Sequence, residues 1–148
     1  MRASTAGPST WARRLGFGGL VPFVGLAAAP WMAWPVGWPP PGMALLGYGM
    51  AICSFLGAIH WGLVMRDGPA QPVPPLLWGV VPSLLAWLAL LLGQPLGLLM
   101  IAVLLWVCFA VDRILYPRYH AQAWLPMRLR LTLVASTSCL VAAAALLQ

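Results

Sequence analysis

MALLGYGMAICSFLGAIHWGLVM, residues 43–65, carries one basic side chain, His60, and no acidic one in an otherwise apolar run. At 1.5 Å per residue, a helix of this length crosses the roughly 30 Å of bilayer hydrocarbon. The rest of the chain agrees with a membrane solvent. Of 148 residues, 62% are hydrophobic and 7% charged, too few charges to wet the surface of a soluble globule. A net charge of +6 in a soluble protein would suggest nucleic acid. Here the arginines flank apolar runs, so they read as orientation signals and no nucleic-acid partner is expected.

Outward from that run, the same length criterion predicts five crossings: Leu15–Trp34, Met43–Met65, Leu76–Leu92, Leu96–Tyr116 and Leu129–Leu147. Turn formers separate them, in PVGWPPPG, RDGPAQPVPP, GQP and the longer PRYHAQAWLPMR. The arginines then test the count. Arg2, Arg13 and Arg14 precede the first crossing, Arg66 follows the second, and Arg113, Arg118, Arg128 and Arg130 lie between the fourth and fifth. Five crossings with the N-terminus inside put all eight on the cytoplasmic side, as the positive-inside rule requires; four or six would scatter them. The expected architecture is an all-α five-helix transmembrane bundle, N-in and C-out, over residues 15–148, after a basic tail at 1–14. Anionic headgroups at the cytoplasmic arginines are the expected lipid partner.

The first crossing also resembles a secretory leader, with a basic start and Ala27-Ala28-Ala29 as a cleavage-like site. Pro30 would follow the cut and obstruct a peptidase, so the segment is expected to be retained. Trp31, Trp34 and Trp38 then form an outer aromatic belt. Pro22 in GLVPF and Pro82 in GVVPS each remove a backbone donor and free the carbonyl four residues back, at Gly18 and Trp78. Such carbonyls are costly against lipid, so both sites are expected to face protein.

On the second crossing, Leu45, Ile52, Phe55, Leu56, Ile59 and Leu63 share one arc, read as the lipid face. Opposite them Gly47, Ala51, Ser54, Ala58 and Gly62 form a row of small residues that lets another helix come close, read as the packing face. His60 falls at a flank, about 9 Å inside the boundary marked by Arg66. Asp112, near the same end of the fourth crossing, is its natural intramembrane partner, because a carboxylate at that depth is expensive unless paired. Pairing of Asp112 with Arg113, Arg128 or Arg130 is the competing reading.

Catalytic patterns are absent from the sequence. Ser54 and Thr132 have no His–carboxylate set beside them, and no HExxH or CxxC occurs. Cys53, Cys108 and Cys139 lie in apolar runs and read as small packing residues. His120 belongs to the Tyr116–Arg130 loop, so bis-histidine haem is not implied and no cofactor or metal is expected. That loop reads as an interfacial segment. The hydroxyl run Ser136-Thr137-Ser138 reads as helix–helix contact.

YGMAICSFLGAIHWGLVM (48–65), LGFGGLVPFV (15–24), PSLLAWLALL (82–91), Asp112-Arg113 and WLPMRLRLT (124–132) resemble a bacterial membrane family of unknown function, DUF3429, with animal relatives called transmembrane protein 69. The resemblance covers nearly the whole chain. It implies signature positions at His60, Trp61, Asp112, Arg113 and Arg128, with Ala58 standing where the family often has a second glycine in FLGG. It implies the fold and no activity. Two functional classes follow. One is a non-enzymatic accessory or assembly partner of a larger membrane complex, such as a respiratory one, or a homo-oligomer in a bacterial inner membrane. The other is a quinone, lipid or proton site around His60 and Asp112.

Overall fold

The computed structural model describes residues 7–66 and 73–147. Arg2 and Asp67 lie outside the described residues. All regular structure among the described residues is helical: α1 Thr10–Gly18, α2 Val21–Ala28, α3 Pro41–Arg66, α4 Val73–Leu92, α5 Leu96–Leu115 and α6 Leu125–Ala145, with single turns of 3₁₀ helix at Ala29–Trp31, Tyr116–Tyr119 and Gln122–Trp124. Among the described residues, four helical stretches are long and apolar enough to cross a membrane: Pro41–Arg66, Val73–Leu92, Leu96–Tyr119 and Gln122–Ala145.

The expected first crossing is not one continuous helix. It is broken at Gly19–Leu20 into α1 and α2, each too short to span alone. Ser9 caps α1, its side chain accepting from the Ala12 amide. Pro22 sits in the first turn of α2, where its missing N–H costs nothing. The break leaves a carbonyl exposed at Gly19, and the Tyr48 hydroxyl of α3 donates to it at 2.8 Å. Phe23 packs edge-on against the same Tyr48 ring at 5.1 Å. Tyr48→Phe keeps the ring and removes the tie, so a loss of about 1 kcal/mol is expected. Hydrogen exchange should show it as faster exchange confined to the amides of residues 19–24.

α3 and α4 pack side by side, α5 lies against α3, α4 and α6, and α2 closes against α3 and α6. Their shared core holds Leu45, Leu46, Cys53, Ala86, Ile101 and Cys139; Cys108 is buried with them, and all three cysteines are free thiols. Unlike Pro22, Pro82 lies within a continuous helix, buried toward α3. Gly93, at φ +67, ends α4 in the left-handed conformation that glycine supplies without strain.

Two expectations about faces need correction. Within the chain, the buried face of α3 is Gly42, Leu45, Leu46, Gly49, Cys53, Leu56, Gly57, His60 and Val64. Gly47 and Ser54 are half-buried, while Ala51, Ala58 and Gly62 are exposed. A Cβ added at Gly47 or Gly62 would meet nothing within 4 Å. The predicted packing row therefore turns outward, and Leu45 and Leu56 of the predicted lipid arc turn in. Lipid and protein interior are equally apolar, so side-chain size alone does not say which face of a membrane helix is inside. The second correction concerns the interfacial loop. α6 begins at Leu125 with Pro126 in its first turn, so Arg128 and Arg130 are helical. Arg128 is buried rather than resting on headgroups.

The charges separate by end. Arg66 donates to the Tyr119 carbonyl at 2.9 Å, and Gly16 of α1 lies against Met127 and Leu131 of α6. Those contacts gather the seven described arginines at one end of the bundle. At the other end Gly42 lies against Gln94 and Leu146, and the connection from α2 to α3 holds Trp34 and Trp38 edge to face at 6.2 Å.

Candidate functional site

α3, α5 and α6 converge near the arginine-bearing end and bury three ionisable groups together. His60 and Asp112 are each 1% exposed and Arg128 8%. His60 Nε2 lies 3.1 Å from Asp112 Oδ1. The carboxylate is the acceptor, so Nε2 carries the proton in this contact. Arg128 Nε donates to Asp112 Oδ2 at 2.8 Å, with Nη2 2.7 Å from the same oxygen. Both carboxylate oxygens are thereby engaged. The two readings of Asp112, pairing with His60 or pairing with an arginine, hold at once. Tyr116 completes the cluster: it is buried beside it, and its ring lies 6.1 Å from that of His60. His60 Nδ1 is buried without a hydrogen-bond partner among the described residues.

The local sequence explains why these groups meet. His60 and Asp112 both lie one to two turns from the ends of descending helices, at matching depth. α6 begins at Leu125, so Arg128 sits one turn into the next ascending helix, beside Asp112. Carboxylate and guanidinium have opposite charges and complementary donors, so burial is tolerated as a pair where neither would be alone. Breaking the pair is the costly event.

Trp61 serves a different contact. Its indole Nε1 donates to the Leu76 carbonyl of α4 at 2.9 Å. The ring covers Gly79, where any Cβ would strike it. Directly beside it, a Cβ on Gly57 would run into the Gly79 carbonyl oxygen. Gly57 and Gly79 thus bring α3 and α4 to backbone contact, and Trp61 latches the crossing. The sequence reading named Trp61 but missed both glycines; the signal was a glycine on each of two adjacent crossings. Arg113 is exposed and stands apart from the cluster.

The hydroxyl residues divide in the same way. Ser54 donates to its own helix at the Met50 carbonyl, and Ser138 likewise to Val134. Ser136 accepts from Trp106 Nε1 at 3.1 Å, joining α5 to α6, while Thr137 is exposed. Thr132, one turn beyond Arg128, is buried with its hydroxyl unpartnered among the described residues. No group of three or more His, Cys, Asp or Glu side chains placed to hold a metal occurs among the described residues.

Beside the cluster lies a cleft of about 690 Å³ between α1–α2, α3 and α6. Arg128, Tyr116 and Thr132 line it, and His60 and Asp112 do not. Ile52, Phe55, Leu56, Ile59 and Leu63, from the arc read as the lipid face, form one of its walls.

Comparison with known proteins gives the family. Transmembrane protein 69 of Xenopus tropicalis is 37% identical over 128 residues, which cover 82% of this chain and 49% of that protein. The chain thus spans about half the length of this curated relative. No solved structure matches. The family model described as "Protein of unknown function (DUF3429)" matches residues 8–144, nearly the whole chain and every residue of the His60–Asp112–Arg128 cluster. The chain therefore belongs to the DUF3429 family of membrane proteins.

Proposed function

We propose that the protein is a non-enzymatic accessory or assembly partner of a larger membrane complex, crossing a bacterial inner membrane five times with its N-terminus inside. α1 and α2 together make the first crossing, and Trp31, Trp34 and Trp38 lie at the outer interface. The exposed Arg113, Arg118 and Arg130 rest on anionic headgroups at the cytoplasmic interface. The reading is supported most directly by the outward row on α3, Gly47, Ala51, Ser54, Ala58 and Gly62, which allows a helix of another chain to approach closely. The buried cluster supports it too: both oxygens of Asp112 face internal partners, and neither Asp112 nor His60 lines the cleft.

The test is a photo-cross-linking residue at Ala58 in native membranes, with Leu91 on the far side of α4 as control. A discrete heavier adduct at Ala58 and none at Leu91 is expected. No adduct at Ala58 removes the interface, and an adduct of twice the chain mass makes the partner a second copy. Topology is checked separately: an alkaline phosphatase fused after Gln148 is expected to be active, and an inactive fusion overturns five crossings.

A further inference from the structure

The cleft has one end of each kind. Between Phe23 and Leu63 its walls are apolar, and its other end is bounded by Arg66, Arg128 and His120. By helical rise, the α3 residues along it, from Ile52 to Arg66, extend about 21 Å, deeper than one leaflet of a bilayer with a hydrocarbon core of about 30 Å. The volume of about 690 Å³ lies within the usual range for small-molecule sites. Its rim is open on the lipid side, where Leu15 and Phe55 are largely exposed.

Three observations select the occupant. Seven described arginines collect at this end, and the one acidic side chain among the described residues, Asp112, is already engaged by Arg128 and His60. With eight arginines against two acidic residues in the full sequence, a net charge of +6, this end has a positive potential that favours an anion. Thr132, 1% exposed, lines the cleft with a hydroxyl that has no partner among the described residues; a buried hydroxyl left this way costs free energy that a ligand oxygen recovers. The lipid-side opening admits a molecule from within the leaflet.

We infer that the cleft binds an anionic phospholipid from the cytoplasmic leaflet, its phosphate at the Arg66–Arg128 end and one acyl chain along Ile59, Phe55 and Phe23. The bound chain fills the space between the broken first crossing and α3. It also covers the apolar α3 residues Ile52, Phe55, Ile59 and Leu63 that line the cleft. This goes beyond the accessory role and does not depend on it; only the choice of the cytoplasmic leaflet rests on the proposed N-in orientation.

The experiment uses the full chain, purified in mild non-ionic detergent and offered equimolar phosphatidylglycerol and phosphatidylcholine before native mass spectrometry. One phosphatidylglycerol retained per chain, at least tenfold over phosphatidylcholine, is expected. Ile59→Trp, which fills the cleft, should lower that retention at least tenfold, while Leu84→Trp on the exposed face of α4 leaves it unchanged. Helical circular dichroism verifies that both variants fold. Equal retention of the two lipids, or undiminished phosphatidylglycerol in folded Ile59→Trp, overturns the inference. Displacement by an equimolar fatty acid overturns the assignment to a phospholipid. Should Ile59→Trp not fold, the lipid ratio of the unaltered chain decides alone, and a cross-linking failure at Ala58 leaves it untouched.

Discussion

Asp112→Asn should be the most damaging single change in this protein. The amide keeps the shape of the carboxylate but removes the charge that makes burial of Arg128 tolerable. It also turns an N–H group toward either His60 Nε2–H or the guanidinium, both donors. Removing one member of a buried ion pair typically costs about 3–5 kcal/mol, because the other charge stays buried without compensation. A detergent-solubilised variant titrated with a denaturing surfactant should lose helicity at a markedly lower fraction of that surfactant. His60→Leu should cost less, about 1–2 kcal/mol, since it removes one charge-assisted hydrogen bond and leaves the pair intact. The triple replacement His60→Leu, Asp112→Leu, Arg128→Met is expected to recover most of the loss, as apolar replacements of buried pairs do. An Asp112→Asn chain as stable as the parent would show that the cluster does not hold the three helices together.

Gly57→Val comes next in size. Any Cβ at this position meets the Gly79 carbonyl oxygen, and backbone cannot rotate away as a side-chain tip can. α3 and α4 must separate, which strains the Trp61–Leu76 hydrogen bond and opens the packing around Pro82. Overpacking costs about 1–3 kcal/mol where side chains can yield, and the upper end is expected here. Gly79→Val should act alike by displacing the Trp61 ring, visible as a shift in tryptophan emission. Gly62→Leu provides the contrast. It has open space around it, so stability within about 0.5 kcal/mol of the parent is expected. If the outward row meets a partner, Gly62→Leu weakens that association without unfolding the chain. A Gly57→Val chain with parental stability would remove the close crossing from the account.

Much of this was legible in the residues. Long apolar runs bounded by Gly, Pro and Arg mark where helices cross, because a bilayer leaves the backbone no other way to satisfy its polar groups. The boundaries of α3 to α5 fall within a few residues of expectation for that reason. Asp112 and His60 announced themselves by the cost of their burial. The rotation of α3 was hidden, because Leu45 and Ala51 are equally at home in lipid and in protein. The break at Gly19 was only half visible: Pro22 flagged it, but the partner that stabilises it, Tyr48, lies 29 residues away. Arg128 was read as loop because its helix begins earlier than its hydrophobicity does. Pro126, a residue suited to a first helical turn, was the overlooked signal. The cleft had no one-dimensional trace at all, since its walls come from three separate parts of the chain.

The pairing of Asp112 with Arg128 reaches back to biogenesis. The two residues are 16 positions apart, so at ribosomal rates of about 5–20 residues per second the carboxylate emerges roughly one to three seconds ahead of its counter-ion. During that interval α5 alone would carry an uncompensated anion into the lipid. The last two helices are therefore best delivered to the bilayer as one hairpin, held by the insertion machinery until the guanidinium arrives.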